Sequence, residues 1–420
     1  MKRDPFGSAA LILDRLLREL GRVSDDKGRL TRTFLSPAMR RANRLVGGWM
    51  RETGLAVRED ALGNLIGRLE GSRPGARTLV LGSHLDTVRD AGRFDGALGV
   101  LLPIVALRHL RREGVRLPFA LELVGFSEEE GVRFPGAYLG SRGYCGRIRA
   151  ADLALRDEDG TTVGQCLRKW IDPRGRRAWK RPEPAHSARD LLGYVEVHIE
   201  QGPVLEKRGI ACGVVSAIAG QTRAKVEFLG RAGHAGTTPM ALRRDALAGG
   251  AEFVLAAESL ARKRPPLVAT VGRLEARPGA GNVIAGGAEL SLDFRHPEDR
   301  RRLEALRTLR LAARQIARRR RLGMSFQVTQ DNPSVACSPG LTALLSRSVK
   351  ARQGRSISLP SGAGHDGVVL SSLAPIAMLF VRCRAGASHC PAEHVKIGDL
   401  AAALEIVDDF LRRLARDFHG

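Results

Sequence analysis

The stretch ARTLVLGSHLD carries a continuous apolar run, Leu79 to Leu81, with few polar interruptions before His84. Such a run is the pattern of a strand buried on both faces. GALGVLLPIVALRHLRREGV follows with helical length, and LPFALELVGFSEEE reads as the next strand. Strand, helix and strand at this spacing predict a βαβ unit in a parallel sheet. Farther on, GYVEVHIEQGPVLE alternates, with Tyr194, Glu196, His198 and Glu200 opposite Val195, Val197 and Ile199. PIAMLFVRC marks the place where the same sheet resumes.

Between these segments the pattern changes. TRAKVEFLG predicts a strand, and a helix follows TTPM with Leu247, Ala251, Val254 and Ala257 on one face. PPLVATVGRLEAR and AELSLDFRH predict two further strands. In the second, Leu290, Leu292 and Phe294 alternate with Ser291, Asp293 and Arg295. A last helix has Leu303, Leu306, Leu309, Ala313 and Ile316 on one side and arginines on the other. Two helices on one face of an antiparallel sheet make a small α+β domain. The predicted fold is therefore α/β: a mainly parallel sheet in residues 1–213 and 329–420, with an α+β domain inserted at 214–328.

Composition narrows the class. At 420 residues and 43% apolar content, the chain suits a large domain with an insertion and excludes disorder. The longest apolar runs, such as GVLLPIVAL, are too short to span a membrane. The N-terminal segment reads as an amphipathic helix, because Asp14 and Arg15 interrupt its apolar stretch. Six scattered cysteines without a CxxC fit a reducing cytoplasm. The net charge of +23 comes largely from 172–182 and 299–321. Few aromatics interleave with these basic residues, so solvated faces are favoured over a nucleic-acid surface. A positive field would also help to collect small anionic substrates.

The candidate chemistry lies at strand ends, where parallel sheets bind ligands. His84 and Asp86 are two apart in extended chain and can lie side by side. A carboxylate there can hold one ring nitrogen and leave the other for a metal. Asp95 follows in the glycine-flanked loop GRFDGALG. Glu128, Glu129 and Glu130 are adjacent, which repulsion would disfavour unless the carboxylates had roles as ligand and as general base. His198 stands on the polar side of its strand. His389 follows a strand and a glycine loop in FVRCRAGASHCPAEHV. Nitrogen and oxygen donors suit zinc, manganese or cobalt. Their spacing leaves one or two ions open.

Taken together, GSHLDTV, GRFDG, EEEGVRF, HIEQGPVLE, GHAGTTPM, SGAGHDG and ASHCPAEH resemble the di-metal aminoacylase/carboxypeptidase clan. They are most similar to its branch of allantoate amidohydrolases, N-carbamoyl-L-amino-acid hydrolases and β-ureidopropionases. The resemblance implies two divalent ions per subunit. His84, Asp95 and His198 would hold one, and Asp95, Glu129 and His389 the other. Glu128 would be the general base, with Asp86 orienting His84. His234 would stabilise the oxyanion or bind substrate. Gln201, Arg223, Asn282, Arg295 and His365 would hold the polar ends of a small anionic ureido acid. The implied reaction is hydrolysis of a linear ureido C–N bond, with allantoate first and N-carbamoyl amino acids as the alternative. By the same resemblance the inserted domain would be a lid or dimerisation domain, with a homodimer formed through it. A non-catalytic metal- or nucleic-acid-binding protein is the rival from another class. The histidine of HIEQG argues against a peptidase of the clan.

Overall fold

The structure is a computed structural model that describes residues 5–172, 174 and 179–418. Part of the basic stretch 172–182 therefore lies outside the described residues. The chain divides into two compact units. The first comprises Met1–Ser216, Cys337–Leu359 and Gly364–Gly420; the second comprises Ala217–Ala336 and Pro360–Ala363. The insertion thus runs to 217 and 336 rather than 214 and 328. Its last long strand continues past 328, where a bulge between Val328 and Gln330 interrupts the pairing without ending it.

The strands of the first unit are β1 (Ala56–Glu59), β2 (Leu65–Leu69), β3 (Thr78–His84), β4 (Ala120–Phe126), β5 (Leu191–Ile199) and β6 (Cys212–Ile218). The inserted segment holds β7 (Gly220–Leu229), β8 (Gly233–His234), β9 (Val268–Thr270), β10 (Leu274–Arg277), β11 (Val283–Ile284), β12 (Gly287–His296) and β13 (Gly323–Asn332). Then come β14 (Val335–Ala336), β15 (Ser358–Ser361) and β16 (Ile376–Val381). The main sheet runs β1-β2-β4-β3-β5-β16-β6. Within it β4, β3, β5 and β16 are mutually parallel neighbours. Their residues are buried almost without exception, as continuous apolar runs require. The helix Ala97–Arg112 connects β3 to β4 and is buried along most of its length. Among the described residues, no helix is long and apolar enough to cross a membrane. The six cysteines are free, and all but Cys390 are buried.

The inserted unit is an antiparallel sheet in the order β10-β12-β7-β13, with β9 also paired to β12. PPLVATVGRLEAR therefore forms two short strands rather than one. Leu290, Leu292 and Phe294 enter the core with Val226 and Phe228, as the alternation of β12 requires. The helix Ala246–Lys263 departs from its predicted face. It buries Ala246, Gly249, Gly250, Phe253 and Ala257, and leaves Leu247 and Ala251 exposed. The glycine pair explains the rotation. A Cβ on Gly249 would stand 2.5 Å from Leu322, so the helix backbone lies close against its neighbours there. The helix Asp299–Arg320 packs Leu309, Ala313 and Ile316 as predicted, but it also buries Arg302 between Asp299, Thr222 and Asp331.

Candidate active site

The parallel strands β4, β3, β5 and β16 end at one edge of the main sheet, and each contributes to a single cluster. His84 is the last residue of β3, and Asp95 lies in the loop that follows. The three glutamates follow β4, His198 is in β5, and His389 follows β16. The Asp95 carboxylate is the centre. Its Oδ1 lies 3.0 Å from His198 Nε2 and 3.6 Å from His84 Nε2, and its Oδ2 lies 3.1 Å from His389 Nε2.

The far nitrogens of two rings are held by backbone. His198 Nδ1 donates to the Ile199 carbonyl at 2.9 Å, and His84 Nδ1 donates to the Asp86 carbonyl at 3.0 Å. Both rings therefore present Nε2 to Asp95. The Asp86 carboxylate stands 3.4 Å from His84 Nδ1. Its shorter contacts are with the amides of Glu129 and Glu130 at 3.0 and 3.1 Å. Asp86 thus orients the glutamate turn as well as the ring predicted for it.

The three glutamates take different positions in the turn. Both oxygens of Glu128, predicted as the base, accept backbone N–H groups, from Gly131 at 2.5 Å and Leu139 at 2.9 Å. A carboxylate held in this way braces the turn, and burial with the nearby Asp86 charge pushes it well above the usual carboxylate range. Where Glu129 is predicted beside Asp95 and His389, the structure places Glu130, whose Oε1 is 3.5 Å from His389 Nε2. Glu129 groups with His84 and Glu130 instead.

The electrostatics favour a cation. Burial opposes a charged imidazole, but the Asp86 and Asp95 carboxylates outweigh it and hold His84 well above the ordinary histidine range. Burial opposes ionised Asp95 too, yet its three histidine neighbours keep its carboxyl well below the usual carboxylate range. Burial, with the Glu130 charge adding to it against the pull of His84, pushes Glu129 well above that range. The buried Glu130 Oε1 has no hydrogen-bond partner among the described residues. An oxygen left bare beside Asp95 and His389 is what a metal ligand requires. The donor set therefore fits divalent metal, with no thiolate in the cluster among the described residues.

Gln201 Nε2 donates to Asp95 Oδ2 at 3.1 Å and to Ser388 Oγ at 3.0 Å. Gln201 and His389 both take left-handed backbone conformations, φ 55° and 57°. Non-glycine residues in this region carry strain that concentrates at functional sites. His365 is buried with its ring edge-on to His198, centroids 4.5 Å apart.

The remaining predicted residues belong to the inserted unit. His234 is exposed, and its Nδ1 accepts from the Gly236 amide. The β8–β11 pairing brings Asn282 beside it, since the Ala235 amide donates to the Asn282 carbonyl. The Arg295 fork, predicted for a substrate carboxylate, makes a two-point contact with Asp293 at 2.6 and 2.9 Å and also reaches the Gly362 carbonyl. Arg223 shares Asp293 at 3.2 Å.

Sequence reasoning missed Glu393, Ser388 and Arg32. Glu393 Oε1 accepts the amides of Phe94 and Asp95 at 2.7 and 3.1 Å and so sets the Asp95 loop. Ser388 Oγ donates to Asp95 Oδ2 at 3.0 Å. Both residues sit in ASHCPAEH, flanking His389. Arg32 is fully buried and donates to the carbonyls of Leu85, Leu20 and Val23, near the Asp86 charge. Nothing in its local sequence signals this.

Comparison with known proteins agrees with this geometry. The model of Peptidase family M20/M25/M40 matches residues 80–413. The chain belongs to that family. It is 39% identical to an allantoate deiminase of Arabidopsis thaliana, over 94% of this chain and 80% of the relative. It is also 39% identical to an N-carbamoyl-L-amino-acid amidohydrolase of Pseudomonas sp. (strain NS671), over 93% of this chain and 94% of the relative. Among solved structures, an amidase of the hydantoinase/carbamoylase family from Burkholderia multivorans superposes with a TM-score of 0.90. That match has 31% identity and covers 97% of this chain and 98% of the other.

Proposed function

We propose that the chain is a metal-dependent amidohydrolase that cleaves the linear ureido C–N bond of a small anionic acid, with allantoate as the substrate. The observation that carries the reading is Asp95, placed between His84, His198 and His389 with the bare Glu130 oxygen beside it. His84, Asp95 and His198 would hold one divalent ion, and Asp95, Glu130 and His389 a second. Zinc or manganese suits these donors, with cobalt able to substitute. Bound there, the ions would polarise the scissile carbonyl and acidify a water.

Glu129 is the general base. Its neighbour Glu130 takes the ligand position, and the Glu128 oxygens are already hydrogen-bonded to backbone. Burial keeps the proton affinity of Glu129 high, as it does that of Glu128. Its carboxylate can therefore take a proton from the attacking water and return it to the leaving nitrogen. Asp86 and Glu393 hold backbone amides of the two loops and so fix the carboxylates in place. Asp293 pre-orients the Arg295 fork, a geometry suited to a carboxylate. His234, Gln201, Arg223, Asn282 and His365 are assigned to the substrate's remaining polar groups.

N-carbamoyl-L-amino acids are the second reading, favoured by equal identity to the Pseudomonas amidohydrolase. The test is ammonia release from the metal-loaded protein offered allantoate, N-carbamoyl-L-amino acids and N-carbamoyl-β-alanine in parallel. Turnover of allantoate above the others supports the reading. Preference for carbamoyl amino acids moves the substrate, and no turnover of any overturns the ureido class.

A homodimer through the inserted unit belongs to the same proposal. Among the described residues, the exposed large hydrophobics other than Leu11 and Val204 lie in that unit, Leu255 and Val268 among them. Exposed apolar surface of this kind is available for association.

A further inference from the structure

Tyr138 has no place among the metal-ligand groups, yet the fold brings its side chain to the edge of the cluster. It follows the glutamate turn and takes a left-handed backbone, φ 66°, immediately before the helix Leu139–Tyr144. A non-glycine residue is held in that region only when its surroundings fix it, and such residues gather at functional sites. Here the turn and the helix start are tied together. The Tyr138 amide donates to the Glu129 carbonyl at 3.4 Å, and the Gly140 amide to the Glu128 carbonyl at 3.1 Å.

A second loop leaves room for the phenol. A Cβ on Gly364 would stand 1.9 Å from the Tyr138 hydroxyl oxygen, so the lack of a side chain at 364 lets that loop lie against it. The next residue is His365, whose ring meets that of His198 with centroids 4.5 Å apart. The hydroxyl thus lies between the glutamate turn and the loop that carries His365. The carboxylates that act on it most strongly are those of Glu129, Asp366, Glu196 and Glu128, in that order. Burial, reinforced by these charges, pushes the hydroxyl well above the ordinary phenol range, so it stays protonated. The side chain is half-buried, and among the described residues its hydroxyl makes no hydrogen bond.

A group that meets this hydroxyl has four carboxylates for neighbours. A substrate carboxylate is disfavoured there, because like charges at this range repel. An uncharged ureido group is not. It offers a carbonyl to accept from the phenol and N–H groups to donate to carboxylates. A place beside Glu129 is also where the scissile bond must lie for that residue to act as base.

We propose that Tyr138 is a specificity-determining residue whose hydroxyl donates a hydrogen bond to the ureido group of the substrate. The inference rests on the ureido-acid reading and adds to it the residue that recognises the neutral end.

The test is titration of the cobalt-loaded full chain with two partial ligands, followed by its visible absorption. Hydroxyurea carries the ureido group without a carboxylate, and glycolate carries a carboxylate without the ureido group. Tyr138→Phe keeps the ring and removes only the hydroxyl. It is expected to weaken hydroxyurea about fivefold or more, the loss of one hydrogen bond, and to change glycolate less than about twofold. The kcat/KM for allantoate should fall in step with hydroxyurea affinity. Equal weakening of both ligands, or of neither, overturns the proposal. Failure of hydroxyurea to bind the wild-type chain overturns it as well. So does loss of cobalt or a lowered unfolding midpoint in the variant, which would make the phenol a packing element. If the wild-type chain turns over no ureido acid while hydroxyurea alone is weakened in the variant, the substrate reading fails and the Tyr138 assignment stands.

Discussion

In the first unit, Asp86, Asp95 and Glu129 are buried at the end of a parallel sheet, where backbone amides hold the Asp86 carboxylate and imidazoles that of Asp95. In the inserted unit, the arginines of the helix Asp299–Arg320 stand mostly in solvent; Arg301 pairs with an acid a turn away, and Arg319 and Arg320 with Glu252 of the neighbouring helix. The contrast shows which charges the fold is obliged to organise. Desolvating several carboxylates together is costly unless positive charge is brought to them. In the first unit the histidines and the proposed ions supply it. Exposed arginines carry no such obligation, and the buried Arg302, paired with Asp299 and Asp331, departs from that rule.

The largest effect is expected from Asp95→Asn. It removes the shared charge between three imidazoles, so turnover should fall by about 10³-fold or more, together with loss of bound metal by elemental analysis. Retention of both ions would break the central role given to Asp95. Next is Arg32→Met, which leaves the carbonyls of Leu85, Leu20 and Val23 without their donor. Denaturant unfolding should show a loss of about 3 kcal/mol. The same change at an exposed arginine such as Arg314 should cost less than about 0.5 kcal/mol. Chelation of the metals should lower the unfolding midpoint, since ligand at a thousandfold excess over its Kd stabilises by about 4 kcal/mol per site.

The smallest effect concerns pH. Burial raises the Glu122 carboxyl, but His186, Tyr144 and Arg58 outweigh it and leave the group below its ordinary value. A depressed carboxylate stabilises the fold above its unfolded pKa, and that contribution fades as pH falls through the folded pKa. Thermal unfolding followed downward from about pH 5 should show this decline, and Glu122→Gln should flatten it.

Much of this organisation was legible in the chain. Continuous apolar runs placed β3, β4 and β16, and period-two alternation placed β12, because burial on two faces or on one leaves a distinct pattern. His84, Asp95, His198 and His389 were legible because ligands gather at strand ends in such sheets. The three glutamates were not separable. Adjacent identical side chains carry no periodic signal, so the contacts of Glu128 with Gly131 and Leu139 are visible only in the folded turn. The core face of Ala246–Lys263 was misjudged for a related reason. Glycine has no side chain to register as apolar, yet Gly249 and Gly250 mark the closest packing. Arg32 and Glu393 act through contacts distant in sequence, which no local pattern carries.

The most direct measurement is ammonia release from allantoate by metal-loaded Glu129→Gln and Glu128→Gln proteins side by side. The account predicts that Glu129→Gln loses about 10²-fold or more in kcat while keeping its metal. Glu128→Gln should stay within about tenfold and lose instead about 1–3 kcal/mol of stability. The reverse order, with Glu128→Gln inactive and Glu129→Gln active, would contradict it.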